Sequence, residues 1–216
     1  MIEDYRGTNE GGRLLILGNG PSAAGVDLQR VDCPVIGLNQ AWRLSGRGCD
    51  YLLMGDPGQY EMLEAASATY GLLITTETGP SHAIRITGHH VDPQHPKRFS
   101  FDLTKGVYLN NTIASFGFQL ATYMLGLWGT IYLLGVDSTG KSFTGAATPP
   151  EKFANQRETL GYIAGVLSMA RPSIKVYDLS LISTQKVFKR MSFDEAFPIG
   201  ENKSEKEDRR HSTANA

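Results

Sequence analysis

A glycine-rich turn, Gly18-Asn19-Gly20-Pro21-Ser22, directly follows the apolar run at residues 14–17. Glycines in such a turn let backbone N–H groups approach an anionic ligand, and Ser22 adds a hydroxyl that can contact a phosphate. The turn lacks the three-glycine spacing of a dinucleotide fingerprint and the lysine of a P-loop, which argues against ordinary NAD and Walker-type ATP sites. The residues alone leave two interpretations open: a phosphate site, or a tight turn that binds no ligand.

Polar residues also follow three later apolar runs, and each has both a functional and a structural interpretation. Asn39 and Gln40 follow the second run, Asp56 follows the third, and Asp137 follows the fifth. Asp56 can cap a helix, Asn39 can form an Asx turn, and Asp137 can stand in a turn. Because the βα corners of a parallel sheet open onto one edge, where α/β proteins bind ligands, their joint position favours a shared binding site.

The elements that must position these residues alternate between strand and helix patterns. Short apolar runs bounded by glycine or polar residues predict strands that are buried on both faces. They lie at residues 14–17, 35–38, 51–54, 72–75, 131–134 and 174–177. We therefore expect an α/β fold, a Rossmann-like (GT-A-like variant) mostly parallel sheet with helices on both faces in a single domain.

Three helices are predicted from their starts or their spacing. Asp56-Pro57 and Thr148-Pro149 each offer a capping side chain followed by proline in the first turn. A third helix, over residues 111–125, is apolar on one side. Its other side carries Thr112, Ser115, Gln119 and Thr122. We expect the apolar side to face the core and the hydroxyl-rich side to face outward.

The chain divides into three parts. Residues 1–13 are polar and acidic and predict a flexible N-terminal segment, and residues 14–200 form the Rossmann-like domain. Within it, residues 79–106 predict a loop or lid insertion that carries one strand near residues 84–86. The tail, residues 201–216, has almost no apolar content and is expected to be disordered.

The insertion at residues 79–106 holds four of the five histidines of the chain. His89, His90, Asp92 and His95 are all capable of binding a metal, yet the prolines and polar residues among them favour an exposed loop, so we assign no metal site. A histidine of this loop would instead serve as a general base if the loop folds over the sheet edge.

Composition excludes several classes of protein. Of 216 residues, 41% are hydrophobic and 20% charged, and the net charge of −1 argues against a nucleic-acid binder. Two cysteines, Cys33 and Cys49, are too few for a disulfide framework, and neither sits in a CxxC pair that would suggest zinc or redox chemistry, so a reducing, cytoplasmic location is expected. The uncharged stretch at residues 110–136 holds polar residues and glycines, so we expect no transmembrane span.

The order of these motifs resembles the bacterial sialyltransferases of glycosyltransferase family 42. LLILGNGPS, GLNQ and MGDP precede a helix that carries serine and threonine and ends in YMLG, and IYLLGVD follows. The resemblance covers residues 14–140 and, more loosely, residues 150–182. The same motifs are similar to the wider group that includes the 6-hydroxymethylpterin pyrophosphokinase-like proteins.

This resemblance implies a sheet that binds the nucleotide part of an activated donor, which in those sialyltransferases is a CMP-sugar. The implied donor contacts are Gly18, Asn19, Gly20, Pro21, Ser22, Asn39, Gln40, Asp56, Thr112 and Ser115. Asp137, which matches the end of the GxD strand, is the catalytic candidate and would contact the acceptor or a proton. Asp56 stands where the family often has asparagine.

Two features of those sialyltransferases have no counterpart in this sequence. They carry a histidine base between the GxD strand and the last strand, whereas no histidine lies between Asp137 and Ile182 here. The pair of tyrosines that follows their GxD strand is also absent. Lys141, Lys152 and Arg157 lie near this point and would either neutralise a leaving phosphate or form a solvated helix face.

The leading prediction is a glycosyltransferase that moves a sugar from a nucleotide-activated donor, favoured to be a CMP-sugar, to a hydroxyl acceptor without a cofactor. One alternative is an ATP pyrophosphokinase acting on a pterin-like alcohol, which would require Mg²⁺ held by Asp56 and Asp137. Another is a nucleotide-binding module without catalysis. The acceptor itself is not predicted, and a second subunit of a homo-oligomer or the 79–106 loop would complete its site.

Overall fold

The apolar runs form strands of a parallel sheet. A computed structural model describes residues 1–44, 46, 48–55, 60, 62–63, 70–76, 80–91, 96–140, 142 and 150–199. The strands are β1 (Arg13–Leu17), β2 (Val35–Leu38), β3 (Cys49–Met54), β4 (Tyr70–Thr76), β5 (Ile84–Ile86), β6 (Gly88–His89), β7 (Val107–Tyr108), β8 (Gly129–Leu134), β9 (Ile174–Asp178) and β10 (Lys189–Arg190). Asp56, Thr148, His95 and the tail at residues 201–216 lie outside the described residues.

The strand order places a topological switch point beside β1. The main sheet runs β10-β9-β8-β1-β2-β3-β4-β5, and β6 and β7 form a separate pair. Every strand pairing in the described part of the chain is parallel. Leu17 is level with Gly37 on β2 and with Leu134 on β8, so the turns that follow these three strands begin at one edge of the sheet. This arrangement confirms the predicted Rossmann-like fold.

Helices cover both faces of the sheet, with the two long ones on one face. The helices are α1 (Ile113–Leu125), α2 (Pro150–Ala170) and the short α3 (Phe193–Ala196). Leu14 and Ile16 of β1 point into the cluster that contains the buried residues of α1 and α2. Leu15 and Leu17 point to the opposite face, where Phe193 and neighbouring short elements cover them. The alternation along β1 shows a strand buried on both faces.

Helix α1 corrects one sequence prediction, because its hydroxyl-rich side does not face outward. Ser115, Gln119 and Thr122 are as buried as the apolar side. The segment 98–110 covers them, and Gln119 Oε1 accepts hydrogen bonds from the backbone N–H groups of Ser100 at 2.9 Å and Tyr108 at 3.0 Å. A polar helix face can therefore be buried when backbone groups satisfy it.

Residues 1–13, predicted to be flexible, make contacts with α1. Ile2 is buried in the core, and the N–H groups of Gly7 and Asn9 donate to the carbonyls of Tyr123 and Met124, each at 3.0 Å. The flexibility of this segment stays a prediction. Both cysteines are free and buried. Across the described residues, no helix is both long and apolar enough to span a bilayer.

Candidate functional site

A polar cleft of about 260 Å³ lies at the carboxyl edge of β1, β2 and β8. Its walls come from the four chain segments that meet there, residues 18–20, 38–39, 111–114 and 135–139, and from the first turns of α2. The cleft therefore occupies the switch point of the sheet, which is where open α/β sheets bind their ligands.

The glycine turn packs closely against the end of β8. Gly18 and Gly20 donate their backbone N–H groups to the carbonyls of Leu134 at 2.8 Å and Gly135 at 2.6 Å. A Cβ atom on Gly18 would lie 2.4 Å from the Gly135 carbonyl oxygen, and one on Gly20 would lie 2.4 Å from Asp137 Oδ2. These glycines permit close packing, and their N–H groups already have acceptors within the protein. The turn is thus not the row of free phosphate-binding donors that the sequence suggested.

Ser22 joins this turn to Asp137. The Ser22 hydroxyl donates to Asp137 Oδ1 at 2.5 Å, and its backbone N–H donates to Oδ2 at 2.8 Å. The same hydroxyl accepts the N–H of Gly135 at 3.0 Å. Ser22 therefore has internal partners, and the buried carboxylate of Asp137 is held in place by two hydrogen bonds.

Four buried polar atoms in the cleft wall find no hydrogen-bond partner in the described part of the chain. Among the described residues, nothing forms a hydrogen bond with Asn19 Oδ1, Asn39 Oδ1, Ser138 Oγ or Thr139 Oγ1. All four residues line the polar cleft. Because an unsatisfied buried polar atom costs about 1–3 kcal/mol, their convergence indicates that a polar ligand or ordered water completes the site.

Backbone strain is concentrated at the same place. Asn39, Asn110, Asn111 and Ser138 are the described residues other than glycine that have positive φ angles, between 46° and 58°. Three of them line the polar cleft, and Asn110 precedes Asn111. Asparagine tolerates this left-handed conformation better than most residues, and strained residues often lie at functional sites.

The beginnings of two helices supply positive potential. Helix α1 starts at the cleft, where Thr112 caps it by accepting the N–H of Ala114 at 3.3 Å. Lys152, in the first turn of α2, lines the cleft from the other side. A helix N-terminus and an ammonium group both favour an anion, so this end of the cleft suits a phosphate or carboxylate.

A larger cleft of about 770 Å³ adjoins the polar cleft. The two share Asn39, Lys152 and the segment 111–113 as walls. The larger cleft is also lined by His90 and Lys97 from the insertion and by residues 151–158 of α2. The structure therefore brings part of the 79–106 insertion to the edge of the sheet, as one of the sequence hypotheses required.

The loop after β9 supports the floor of the polar cleft. Thr184 N–H donates to the Asp137 carbonyl at 3.0 Å, and the Thr184 hydroxyl donates to the Ser138 carbonyl at 2.7 Å. This loop is organised by Asp178, whose carboxylate accepts hydrogen bonds from Ser180 N–H at 3.0 Å and Gln185 Nε2 at 2.5 Å. Burial is the main cause that raises the pKa of Asp178, and the negative charge of nearby Asp137 adds to it.

The predicted site residues separate into two groups. Gly18, Asn19, Gly20, Asn39, Thr112 and Asp137 line the polar cleft. Pro21, Ser22, Gln40 and Ser115 line neither cleft. Ser115 is fully buried and donates to the Tyr108 carbonyl at 2.9 Å, so the structure assigns it to packing rather than to a nucleotide.

Asn111 is one of the cleft residues that the sequence reasoning missed. It lines both clefts and has a φ of 58°. The signal was present in the sequence, since Asn110-Asn111 stands directly before a predicted helix and asparagine is the residue type that tolerates left-handed backbone.

In the part of the chain that the structure describes, no group of three His, Cys, Asp or Glu side chains is arranged to hold a metal ion. Asp137 already accepts two hydrogen bonds from Ser22, and Asp56 lies outside the described residues. A requirement for Mg²⁺ stays a prediction of the pyrophosphokinase alternative.

Fold and cleft together define a Rossmann-like α/β protein with a polar cleft at its switch point. Comparison with protein-family models finds no match, and a search of curated proteins finds no relative.

Several solved structures have a similar chain trace. One is the sialyltransferase CST-II in complex with a trisaccharide acceptor and CMP, at 15% identity over 88% of this chain and 89% of that chain, with a TM-score of 0.46. Another is the sialyltransferase CstII from Campylobacter jejuni with the substrate analogue CMP-3FNeuAc, at 16% identity over 88% and 91%, with a TM-score of 0.48. A CstII structure with cytidine-5'-monophosphate matches at 15% identity over 92% and 99%, with a TM-score of 0.42. Similarities of this size do not assign a family or an activity to this chain.

Proposed function

We propose that this protein is a glycosyltransferase that binds a nucleotide-activated sugar, most suitably a CMP-sugar, and transfers the sugar to a hydroxyl acceptor. The observation that carries the proposal is the convergence, in one cleft at the switch point of the sheet, of four buried polar atoms that have no partner within the described ranges. The resemblance of the motif order to family 42 sialyltransferases supports the choice of donor.

The donor phosphate is assigned to the positive end of the cleft. The N-terminus of α1 and the ammonium group of Lys152 lie on its walls. A donor with a single phosphate requires less neutralisation by cations than a nucleoside triphosphate does. This end of the cleft therefore suits a nucleoside monophosphate as the leaving group.

The nucleoside and sugar hydroxyls are assigned to the unpartnered side chains. Asn19 and Asn39 each offer an amide whose oxygen lacks a partner among the described residues. Amides can donate to and accept from a base or a ribose, which suits them to nucleoside recognition. Gly18, Gly20 and Ser22 shape the turn. In this proposal Asp137 orients that turn, because its carboxylate accepts two hydrogen bonds from Ser22. The same carboxylate also accepts a hydrogen bond from a hydroxyl of the ligand.

Ligand binding is tested by a thermal-shift panel of CMP, CDP, UDP, GDP, ADP and ATP, each with and without Mg²⁺. A ligand that binds only the folded state raises the melting temperature, so we expect stabilisation by CMP without metal. Asn19→Ala should weaken CMP binding at least about tenfold, or about 1.4 kcal/mol, which is what the loss of one or two hydrogen bonds costs. Gln29→Ala, an exposed amide outside both clefts, is the matched control.

The same panel separates this proposal from its alternatives. Stabilisation by ATP only in the presence of Mg²⁺ would favour pyrophosphate transfer. CMP binding without release of CMP from any CMP-sugar would favour a nucleotide-binding module. If no nucleotide in the panel raises the melting temperature of the wild-type protein, the result would contradict the proposed function.

A further inference from the structure

We propose that His90 is the catalytic base of this protein and that the larger cleft holds the acceptor. The inference rests on the proposed function, since it concerns the second substrate of the same site. Its starting observation is that His90 lines the larger cleft, which shares walls with the polar cleft at Asn39, Asn111 and Lys152. An acceptor there lies beside the donor.

The backbone next to His90 is fixed by the pairing of β6 with β7. His90 directly follows β6, which pairs with β7 in the register His89 to Tyr108. Leu109 N–H donates to the His89 carbonyl at 3.1 Å, and the His89 ring lies 5.2 Å from the Tyr108 ring. His89 Nε2 is also 3.1 Å from the Lys105 carbonyl oxygen. His89 therefore serves the structure, and His90 is the neighbour left facing the cleft.

Buried side chains attach the segment 98–110, which contains β7, to α1. Asn110 accepts the Arg98 N–H at 3.1 Å and donates to the Arg98 carbonyl at 2.7 Å. Gln119 of α1 accepts two backbone N–H groups of the same segment and donates to the Tyr108 carbonyl at 2.7 Å. A fully satisfied buried network of this kind is rigid, so the wall of the cleft keeps its shape.

Lys97, which directly precedes this segment, attaches the insertion to α2. The Lys97 ammonium group lies 3.2 Å from Asn155 Oδ1 and 3.3 Å from Glu158 Oε1, and its side chain is only 15% exposed. This contact joins the insertion to the opposite wall of the larger cleft. The insertion is thus held on both sides, which gives the pre-organised geometry that proton transfer needs.

The other ionisable groups on the walls are less suited to accept a proton. Lys97 and Lys152 are cations, and Glu158 is paired with Lys97. Glu151 is the remaining carboxylate. At neutral pH an ordinary carboxylate is a much weaker base than an imidazole, and histidine is the commonest acid–base residue in enzymes.

In the proposed step the bond between the anomeric carbon and the phosphate oxygen breaks, and its electron pair leaves with the nucleoside monophosphate. The acceptor oxygen forms a new bond to the anomeric carbon. Its proton passes to the imidazole of His90, which then releases that proton to solvent. Lys152 and the start of α1 stabilise the charge on the leaving phosphate.

The test uses CMP-N-acetylneuraminic acid as the probe, with water as the acceptor and CMP release as the signal. His90→Ala should lower the rate by about 100-fold or more, the usual contribution of a general base, and should leave CMP affinity within about twofold because the residue is absent from the polar cleft. Added imidazole should restore a large part of the lost rate in His90→Ala. It should not do so in His90→Gln, whose side chain fills the space.

The matched control is His82→Ala, an exposed histidine of the same insertion that lines neither cleft. Its rate should equal that of the wild type. An unchanged rate in His90→Ala, or a loss that imidazole does not rescue, overturns the role of His90 while CMP binding by the wild type still supports the proposed function. A larger loss in Glu151→Gln than in His90→Ala also overturns it. If the wild type neither binds CMP nor releases it from the probe, both proposals fail.

Discussion

The carboxylate of Asp137 accepts two hydrogen bonds from Ser22, a residue 115 positions earlier in the chain. These bonds join the turn after β1 to the end of β8, across the switch point of the sheet. The charge of a buried carboxylate is costly without such donors. The pair therefore determines the shape of the cleft floor before any ligand binds.

Replacing Ser22 by alanine should destabilise the protein. Ser22→Ala removes the hydroxyl that donates to Asp137 and accepts the N–H of Gly135. Since it leaves buried groups unpaired, we expect the free energy of unfolding to fall by about 2–3 kcal/mol. Ser168→Ala, at an exposed position of α2, should stay within about 0.5 kcal/mol of the wild type. Urea unfolding of the three proteins measures the difference, and equal stabilities would contradict the importance of the pair.

Two glycine-to-alanine substitutions should act in opposite directions. A Cβ at Gly20 would lie 2.4 Å from Asp137 Oδ2 and 2.6 Å from the Gly135 carbonyl oxygen. Gly20→Ala should therefore lower the free energy of unfolding by about 1–3 kcal/mol. A Cβ at Gly165, within α2, meets no described atom within 4 Å. Gly165→Ala should raise it by about 0.5–1 kcal/mol, because alanine favours the helix. Changes of the same sign would contradict the close packing at Gly20.

Asn39→Gly should separate ligand binding from stability. Glycine adopts the φ of 50° found at Asn39 without strain, so the melting temperature should change little. The amide, whose oxygen lacks a partner in the part of the chain that the structure describes, is lost, and CMP affinity measured by calorimetry should fall at least about tenfold. Asn39→Ala should lose affinity to the same extent and, in addition, about 1–2 kcal/mol of stability, because a Cβ disfavours the left-handed backbone. Unchanged affinity in both variants would remove Asn39 from the site.

Asp178 should give the protein a recognisable dependence of stability on pH. Burial raises its pKa in the folded state above the ordinary value of 3.8. Between these two values the folded protein binds more protons than the unfolded chain, so the free energy of unfolding falls as pH rises. The stability of the wild type relative to Asp178→Asn should therefore decrease as pH increases above about 4. Urea unfolding at a series of pH values measures this difference, and an increase would contradict the assigned cause.

Asp102 provides a comparison with the opposite sign. A hydrogen bond from the Thr104 hydroxyl is the first cause that lowers the pKa of Asp102, and Arg6 contributes as well. The unfolded chain then binds more protons between the two values, so this contribution to stability is lost as pH falls below about 4. In the same unfolding series, the stability of the wild type relative to Asp102→Asn should increase with pH. Changes of the same sign in the two comparisons would contradict one of the two assignments, and reversed signs would contradict both.

The strands and the corners that follow them were predictable because their signals are local. Apolar runs such as residues 14–17 and 131–134 lie within strands of the structure, and the polar corners at Asn39 and Asp137 line one cleft. A buried parallel strand needs a continuous apolar run, and parallel strands bring their carboxyl ends to one edge. Local pattern and fold rules together are sufficient for this part.

The sequence by itself therefore determined the Rossmann-like architecture and the edge at which the site lies. Only the tertiary structure decided which polar groups remain available there. The hydroxyl of Ser22 and the N–H groups of Gly18 and Gly20 are used internally, whereas the amide oxygens of Asn19 and Asn39 have no partner among the described residues. Such partners come from segments far apart in the chain, and no local periodicity encodes them. For the same reason, the sequence did not show that Ser115 is buried or that, among the described histidines of the insertion, His90 is the one that lines the cleft.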